Sequence, residues 1–132
     1  MSEENVESMR AVIEAFNRRD VETLTTLLAE DAEIVPIRAA LEDTVFRGPD
    51  AVAEWYAAVD ESWEELTVEM QGARDGGDWI VGFGRLRGRG RESGAAIDIE
   101  AASVAHFRDG LITSLQNFTT RAAALEAAGL PG

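Results

Sequence analysis

The spacing of apolar residues predicts two helices in the first thirty residues. Four apolar side chains recur three or four positions apart and form one stripe: Val6, Met9, Ile13 and Phe16. Asp20 can cap a second, shorter helix, which we expect to end at Glu30 and Asp31. Residues 32–38 are expected to form a strand at a sheet edge or bend, because Pro36 cannot donate to a strand ladder.

A third helix is predicted after Gly48-Pro49-Asp50, since proline suits the first turn of a helix. One side of this helix is rich in aromatic residues at helical spacing: Val52, Trp55, Tyr56, Val59 and Trp63. Packing in the core is the ordinary role of such a stripe, and stacking on a ligand is the alternative. Residues 39–47 show no pattern that decides their structure.

From residue 66 onward the apolar period changes to two, which is typical of strands. The pattern predicts four strands that follow one another, with turns at residues 75–78, a loop or hairpin tip at 88–94 and a turn at Asp109-Gly110. A short helix over residues 121–128 follows, with Gly129 as its C-cap. Helices followed by an antiparallel meander indicate an α+β fold in which a curved sheet covers the helices. Gly82, Gly84 and Gly88 would permit that curvature.

Composition narrows the possible function classes. The chain has 132 residues, with 25 acidic and 12 basic side chains and a formal net charge of −13. A domain this acidic repels a phosphate backbone, so nucleic-acid binding is not expected. Cysteine is absent, the N-terminus has no signal-peptide pattern, and no apolar stretch is long enough to cross a membrane. We therefore expect one cytoplasmic domain over residues 1–132, with no metal and no cofactor.

Several segments of the chain resemble proteins of the SnoaL-like, nuclear-transport-factor-2-like superfamily. They are EAFNRRD, LLAEDAEI and FRGPDAVAEWY in the first half, and the Arg-Gly loop, the FRDG turn and the AAGL ending in the second. The resemblance implies a cone-shaped, cystatin-like α+β barrel, with helices packed in the concave face of a strongly curved, mostly antiparallel sheet. It also implies dimers that form through the outer sheet face. Relatives include ketosteroid isomerases, polyketide cyclases, limonene epoxide hydrolases and proteins without catalysis, so the fold alone does not give the function.

The isomerase and hydrolase patterns of that superfamily are not present in this chain. The resemblance places Pro36, Val12 and Ser103 at the positions of the isomerase base, tyrosine and second acid, and none of these residues can take those roles. The hydrolase pattern needs arginine and aspartate two residues apart on a strand and an acid on the last strand, and the chain has neither. Neither reaction is therefore expected.

Histidine and metal chemistry have little support in the sequence. Polyketide cyclization would use a carboxylate or histidine base, and His106 is the only histidine. Strand alternation puts His106 on the face opposite Ser103, so we expect it to point away from the pocket, although a catalytic role stays the alternative. Scattered carboxylates and one histidine give no ligand spacing of the kind that zinc or iron sites show.

What remains is an apolar pocket with a few polar groups. By alternation, Trp79, Phe83 and Arg85 share one strand face, which we take as the concave one. Arg85 would then offer a guanidinium to a ligand oxygen, or leave the barrel at its rim and pair with an acid of the helical half. The resemblance adds Asn117 on the last strand. The predicted pocket residues are Arg85, Asn117, Ser103, Trp79, Phe83, Trp55 and Tyr56.

Two functions of different classes follow from these predictions. The first is a small-molecule-binding domain for an apolar or aromatic ligand, with a lyase, cyclase or isomerase step as its expected chemistry if it is an enzyme. The second is a non-catalytic interaction or scaffold module whose cavity is filled by side chains. In either case we expect a homodimer, formed through the face of Ile80, Gly82, Gly84, Leu86 and Val104.

Overall fold

The computed structural model of the chain describes residues 2–36 and 45–129. These residues form an α+β fold with one six-stranded sheet. The helices are α1 (Ser2–Arg18), α2 (Val21–Leu27), α3 (Ala51–Ser62) and α4 (Arg121–Ala127). The strands are β1 (Leu28–Val35), β2 (Phe46–Arg47), β3 (Trp63–Asp75), β4 (Trp79–Gly90), β5 (Ala96–Arg108) and β6 (Leu111–Phe118).

The sheet is open, curled and mostly antiparallel, with the strand order β2-β1-β6-β5-β4-β3. Strands β3 to β6 form the predicted meander, in which each strand pairs with the next in sequence. The turns at residues 75–78 and at Asp109-Gly110 fall where the sequence predicted them, and Gly77 and Gly110 adopt positive φ angles of 89° and 80°. The loop predicted over residues 88–94 begins later, because β4 continues to Gly90. β1 adds a parallel pairing with β6 that the sequence did not predict.

Helices α1 and α3 pack against one side of the sheet, which we call the inner face. On β4 this face consists of Ile80, Gly82, Gly84 and Leu86. A Cβ atom added at Gly82 would lie 3.2 Å from the Cγ atom of Met9 on α1. The prediction that these four residues form an outer dimer surface together with Val104 is therefore wrong, because α1 and the core cover the four and Val104 lies on the opposite side of the sheet, next to Val81.

The opposite side of β4, the outer face, carries Trp79, Val81, Phe83 and Arg85. The prediction that this side is the concave one is also wrong. Helix α4 lies on it and packs Ala124 and Leu125 against its apolar part, which includes Val81, Ala102 and Val104. The guanidinium of Arg121 lies 4.0 Å from the centre of the Phe83 ring. Unlike the other helices, α4 therefore packs outside the concave face.

Several element boundaries differ from those that the sequence predicted. Helix α2 ends at Leu27 rather than at Glu30 and Asp31, and β1 begins at once, because Leu28 pairs with Ile112 of β6. Tertiary pairing here overrides a segment of good helix formers. Trp63, predicted in the aromatic stripe of the third helix, is the first residue of β3. Residues 37–44, which include the end of the predicted strand and most of the undecided connection, lie outside the described residues.

The end of α1 is fixed to the edge strand β3 by side-chain hydrogen bonds to its main chain. The Asn17 amide donates to the Val68 carbonyl at 2.8 Å and accepts from the Val68 N–H at 2.8 Å. Arg19, at a φ of 54°, donates to the Leu66 carbonyl at 3.1 Å and pairs with Asp60 of α3 at 3.0 Å. These contacts hold α1 and α3 at one end of the inner face.

Candidate functional site

A cavity of about 420 Å³ lies between α1, α3 and the inner face of the sheet. The helices contribute a mostly apolar wall: Met9, Val12, Ile13, Phe16, Trp55, Ala58, Val59 and Ser62. The ring centres of Phe16 and Trp55 are 5.0 Å apart, so the two side chains form one packed surface. The cavity thus lies along the apolar stripe of α1 that the spacing predicted.

The sheet supplies the opposite wall of this cavity. Its apolar side chains come from five strands, β2 to β6: Phe46, Trp63, Leu66, Val68, Met70, Leu86, Ile97, Ile99, Ala101 and Leu115. Gly82 and Gly84 also line the cavity, where Met9 packs close to Gly82 and the β3 main chain lies close to Gly84. Ile99 is 39% exposed, which is high for a large apolar residue on the inner face. An apolar wall with partial exposure suits an apolar ligand.

Ser103 and Asn117 place a polar pair in this apolar surrounding. They are directly opposite each other on β5 and β6, and both line the cavity. The Ser103 hydroxyl donates to the Asn117 carbonyl oxygen at 2.7 Å. The Asn117 amide in turn donates to the main-chain carbonyl of Val35 on β1 at 3.0 Å. The pair is thus held in place across three strands.

Four of the seven predicted pocket residues line the cavity: Trp55, Phe83, Ser103 and Asn117. The ring of Phe83 nevertheless lies under Arg121 on the outer face. A strand side chain cannot reach both faces, so the contribution of Phe83 to the cavity comes from its main chain. The binding roles of Trp55, Ser103 and Asn117 stay predictions.

Tyr56 is buried in the core rather than in the cavity wall. Its ring centre lies 5.9 Å from that of Phe16 and 5.6 Å from that of Trp55. The side chain is 4% exposed, and its hydroxyl has no hydrogen-bond partner within the described residues. Burial raises the pKa of this phenol to about 12, since ionisation would place a charge in the core. Tyr56 is therefore a neutral core residue at physiological pH.

Arg85 and Trp79 lie on the outer face, away from the cavity. The Arg85 Nε atom donates to an Asp98 carboxylate oxygen at 2.9 Å, and its Nη2 atom to the Asp98 main-chain oxygen at 2.7 Å. The Arg85 and Arg87 guanidiniums hold the pKa of Asp98 below its usual value, with the hydrogen bond from Arg85 as the largest cause. The prediction that Arg85 points into the cavity is wrong, because its side chain leaves β4 on the other side of the sheet.

The three residues that the resemblance placed at the isomerase positions all line the cavity. They are Pro36, Val12 and Ser103, whose side chains cannot exchange a proton near neutral pH. Within residues 2–36 and 45–129, the lining includes no carboxylate, histidine or basic side chain. His106 pairs with Trp79 and Ser114 on neighbouring strands and lies on the outer face, as strand alternation predicted.

A second depression of about 560 Å³ lies at the surface near the end of α1. Asn17, Arg19 and Asp60 line it, and their side chains already bond to one another or to the main chain of β3. Its walls are mainly charged and open to water, where such contacts stabilise little. We therefore take the apolar cavity as the candidate site.

Sequence reasoning missed the cavity residues Ile97 and Ile99 on β5. Their signal was present, because both lie an even number of positions from Ser103 and therefore share its face.

Neither a metal-binding cluster nor a membrane-spanning helix is found among the described residues. No group of three or more His, Asp or Glu residues among them is arranged to hold a metal ion. In the same part of the chain, no helix is both long and apolar enough to cross a membrane.

The sequence and the fold both match known proteins. The sequence profile of the SnoaL-like domain matches residues 9–115. No curated protein sequence matches the chain. Among solved structures, a protein of ketosteroid isomerase-like fold from Catenulispora acidiphila, in complex with trimethylamine, is 24% identical with a TM-score of 0.76; the match covers 95% of this chain and 94% of that one.

Two further structures are similar over nearly their full length. A protein from Jannaschia sp. CCS1, named for its likeness to SnoaL-like polyketide cyclases, is 18% identical with a TM-score of 0.78, covering 99% of this chain and 95% of that one. TerC, co-crystallized with polyporic acid, is 21% identical with a TM-score of 0.77, covering 93% and 96%. At these identities the likeness establishes the fold and leaves the ligand to be argued from the cavity.

Proposed function

The chain belongs to the SnoaL-like domain family, and on that premise we propose that it binds an apolar or aromatic small molecule in the cavity between α1, α3 and the inner face. The observation that carries the proposal is the cavity itself. Its volume of about 420 Å³ falls within the roughly 300–1,000 Å³ that is usual for small-molecule sites. Mostly apolar walls with one polar pair are also typical of such sites.

The same volume argues against the interaction-module alternative. A scaffold of this fold would be expected to fill the space between helices and sheet with side chains, because empty apolar space costs stability. In this chain a volume of about 420 Å³ lies open between them instead. A ligand that occupies the cavity would account for the open volume, whereas a scaffold needs no such cavity.

We propose ligand binding as the function of the cavity and assign no reaction to it. A lyase, cyclase or isomerase step needs a group that takes or gives a proton near neutral pH. Ser103 and Asn117 can hold a ligand oxygen but do neither. Homodimer formation and a cytoplasmic location stay predictions; light scattering of the purified chain and cell fractionation would test them.

Filling the cavity tests the proposal. Ala101 lies on the inner face of β5 and lines the cavity, so Ala101→Phe should occupy part of its volume without adding charge. N-phenyl-1-naphthylamine is a neutral probe whose fluorescence rises in apolar sites. We expect the wild-type chain to bind it with micromolar affinity, about −8 kcal/mol, and Ala101→Phe to weaken binding roughly tenfold or more.

Two control variants separate cavity filling from general disturbance. Ala96→Phe makes the same change on the same strand, at an exposed position outside the cavity lining. Arg85→Met removes the outer-face guanidinium that pairs with Asp98. Both should bind the probe like the wild-type chain, provided that their melting curves show folded protein. Equal affinity in Ala101→Phe and the wild-type chain, or no binding to the wild-type chain, would contradict the proposal.

A further inference from the structure

The hydrogen bonds around Asn117 fix the direction in which the polar pair donates. The main-chain carbonyl of Val35 can only accept, so the Asn117 atom 3.0 Å from it must be the amide nitrogen. This assignment turns the Asn117 carbonyl oxygen toward Ser103. The neighbouring groups therefore fix which atom of the Asn117 amide is the nitrogen and which is the oxygen.

The orientation of Asn117 in turn decides the role of Ser103. A carbonyl oxygen can only accept, so the Ser103 hydroxyl must spend its one hydrogen on Asn117, over a distance of 2.7 Å. The Ser103 oxygen therefore has only its lone pairs available to a further partner. Since Ser103 lines the cavity, a bound molecule meets a hydrogen-bond acceptor at this point. The second N–H of Asn117 is the remaining donor of the pair.

The acceptor discriminates among ligand groups. A ligand hydroxyl can donate to the Ser103 oxygen, whereas an ether or ketone oxygen at the same point would face lone pairs with lone pairs and could accept only from the remaining Asn117 N–H. A carboxylate would be worse, because its charge would leave water for a largely apolar surrounding with at most one N–H donor from this pair. Leaving the polar atom of a ligand or protein unpaired in such a place costs more than a hydrogen bond contributes.

We infer that this site selects neutral, hydroxyl-bearing aromatic or alicyclic molecules, with Ser103 as the specificity-determining acceptor. The inference rests on the proposed function, since it concerns the ligand of the same cavity. Val35, Asn117 and Ser103 act as a chain of three groups in which each hydrogen bond sets the direction of the next. The ligand hydroxyl is the fourth member of that chain.

A series of probes with one carbon skeleton tests the selection. 2-Naphthol has a hydroxyl donor, 2-methoxynaphthalene keeps the oxygen without the hydrogen, naphthalene has neither, and 2-naphthoate is an anion at pH 7. Calorimetric titration of each probe into the wild-type chain should give the tightest binding for 2-naphthol. We expect a preference of about three- to tenfold over 2-methoxynaphthalene and naphthalene, as for one neutral hydrogen bond. 2-Naphthoate should bind weakest.

Variants at Ser103 connect the preference to this residue. Ser103→Ala removes the acceptor and should bring 2-naphthol to the affinity of naphthalene while leaving naphthalene binding unchanged. Ser103→Thr keeps the hydroxyl and should keep the preference. Ser114→Ala removes a serine hydroxyl of β6 outside the cavity lining and should also keep it.

The outcomes separate the two proposals. Equal binding of 2-naphthol and 2-methoxynaphthalene would overturn the inference and leave the proposed function standing. So would a preference that survives in Ser103→Ala, or tight binding of 2-naphthoate. Absence of binding for every probe would overturn the proposed function together with the inference.

Discussion

At the scale of single residues, Tyr56 shows how burial and hydrogen bonding can disagree. Its ring stabilises the core next to Phe16 and Trp55, but its hydroxyl is buried with no partner in the described part of the chain. An unpaired buried hydroxyl costs about 1–3 kcal/mol of stability. We predict that Tyr56→Phe raises the free energy of unfolding by about 1 kcal/mol, measured by urea denaturation at pH 7. A loss of stability would show that the hydroxyl has a partner.

Tyr56 also gives the stability of the wild-type chain a pH dependence that Tyr56→Phe should lack. Tyr56 is the only tyrosine, and the chain contains no lysine or cysteine, so no other side chain titrates between pH 10 and 12. The phenol ionises near pH 10 in the unfolded chain and near 12 in the folded one. Between these values the unfolded state releases a proton that the folded state keeps, so stability falls as the pH rises.

The size of that fall makes it measurable. A pKa difference of this kind corresponds to a loss on the order of 2 kcal/mol by pH 12. Melting temperatures of the wild-type chain should therefore drop from pH 10 upward, and those of Tyr56→Phe should stay level over the same range. Parallel curves for the two proteins would contradict the raised pKa.

Residue positions on a helix were harder to predict from the sequence than the helix itself. Trp55 and Tyr56 belong to one aromatic stripe, yet Trp55 lines the cavity and Tyr56 lies in the core. Consecutive helical residues point about 100° apart, so a broad stripe covers two environments. The resemblance to a family placed both Ser103 and Asn117 at the pocket, and alternation along the strand added only that His106 lies on the face opposite Ser103.

At the scale of elements, the sequence pattern of β4 explains why the inner and outer faces of the sheet were predicted the wrong way round. An alternating pattern identifies which residues share a face but not which face is covered. On β4 both faces are apolar, because α1 covers Ile80 and Leu86 while α4 covers Val81 and Phe83. Large aromatic side chains on one face suggested the core, and glycines on the other suggested an open surface. The glycines instead allow the Met9 side chain of α1 and the main chain of β3 to approach β4 closely.

Gly84 is the position where that close approach is most restrictive. A Cβ atom there would overlap the main-chain carbonyl oxygen of Glu69 on β3, which cannot move without disturbing the strand pair. At Gly82 the nearest atom is the Met9 side chain, 3.2 Å away, and methionine adapts readily. The curl of β3 over β4 therefore depends on glycine at position 84 far more than at position 82.

We predict that Gly84→Ala destabilises the fold by about 2 kcal/mol or more, as for a methyl group forced into a packed site. Gly82→Ala is the matched control and should change the free energy of unfolding by less than about 1 kcal/mol. Urea denaturation of both variants gives the comparison. Equal effects of the two changes would mean that β3 can move away from β4 and that the curl does not require Gly84.

The order of elements was the most predictable part of the fold. Turn residues with special backbone angles, such as Gly77 and Gly110, separate periodic segments and leave little choice of boundary. The end of α2 was wrong because Leu28 gains a partner in Ile112, more than eighty residues away in sequence. Local patterns contain no information about such a pairing, and the parallel contact of β1 with β6 was missed for the same reason.

At the scale of the whole molecule, charge is distributed unevenly along the chain. The first 65 residues have 17 acidic residues and 5 arginines, a net charge of −12, whereas the remainder is close to neutral. Ion pairs on the outer face and at the end of α1, such as Arg85 with Asp98 and Arg19 with Asp60, compensate a minority of the acids. The helical half that forms one wall of the cavity therefore carries most of the uncompensated negative charge.

Two electrostatic effects of opposite sign compete when salt is added. Salt screens repulsion among the excess carboxylates, which stabilises the compact state, and it also weakens exposed ion pairs, which destabilises it. Exposed ion pairs contribute little individually. Repulsion instead involves a net charge of −13 within a chain of 132 residues, where many acids lie within the Debye length of about 10 Å at 0.1 M salt. Screening of repulsion should therefore dominate.

We predict that the melting temperature rises by roughly 4 °C between 10 mM and 500 mM sodium chloride at pH 7, corresponding to a gain on the order of 1 kcal/mol. Potassium chloride should give the same shift, because screening depends on ionic strength and not on the cation. Sulfate is avoided, since it strengthens apolar burial by a separate mechanism. At pH 4.4, near the isoelectric point, the shift should largely disappear because the net charge is then close to zero. A melting temperature that falls with added chloride at pH 7 would mean that the ion pairs of the outer face and of the α1 end stabilise the fold more than the excess of carboxylates destabilises it.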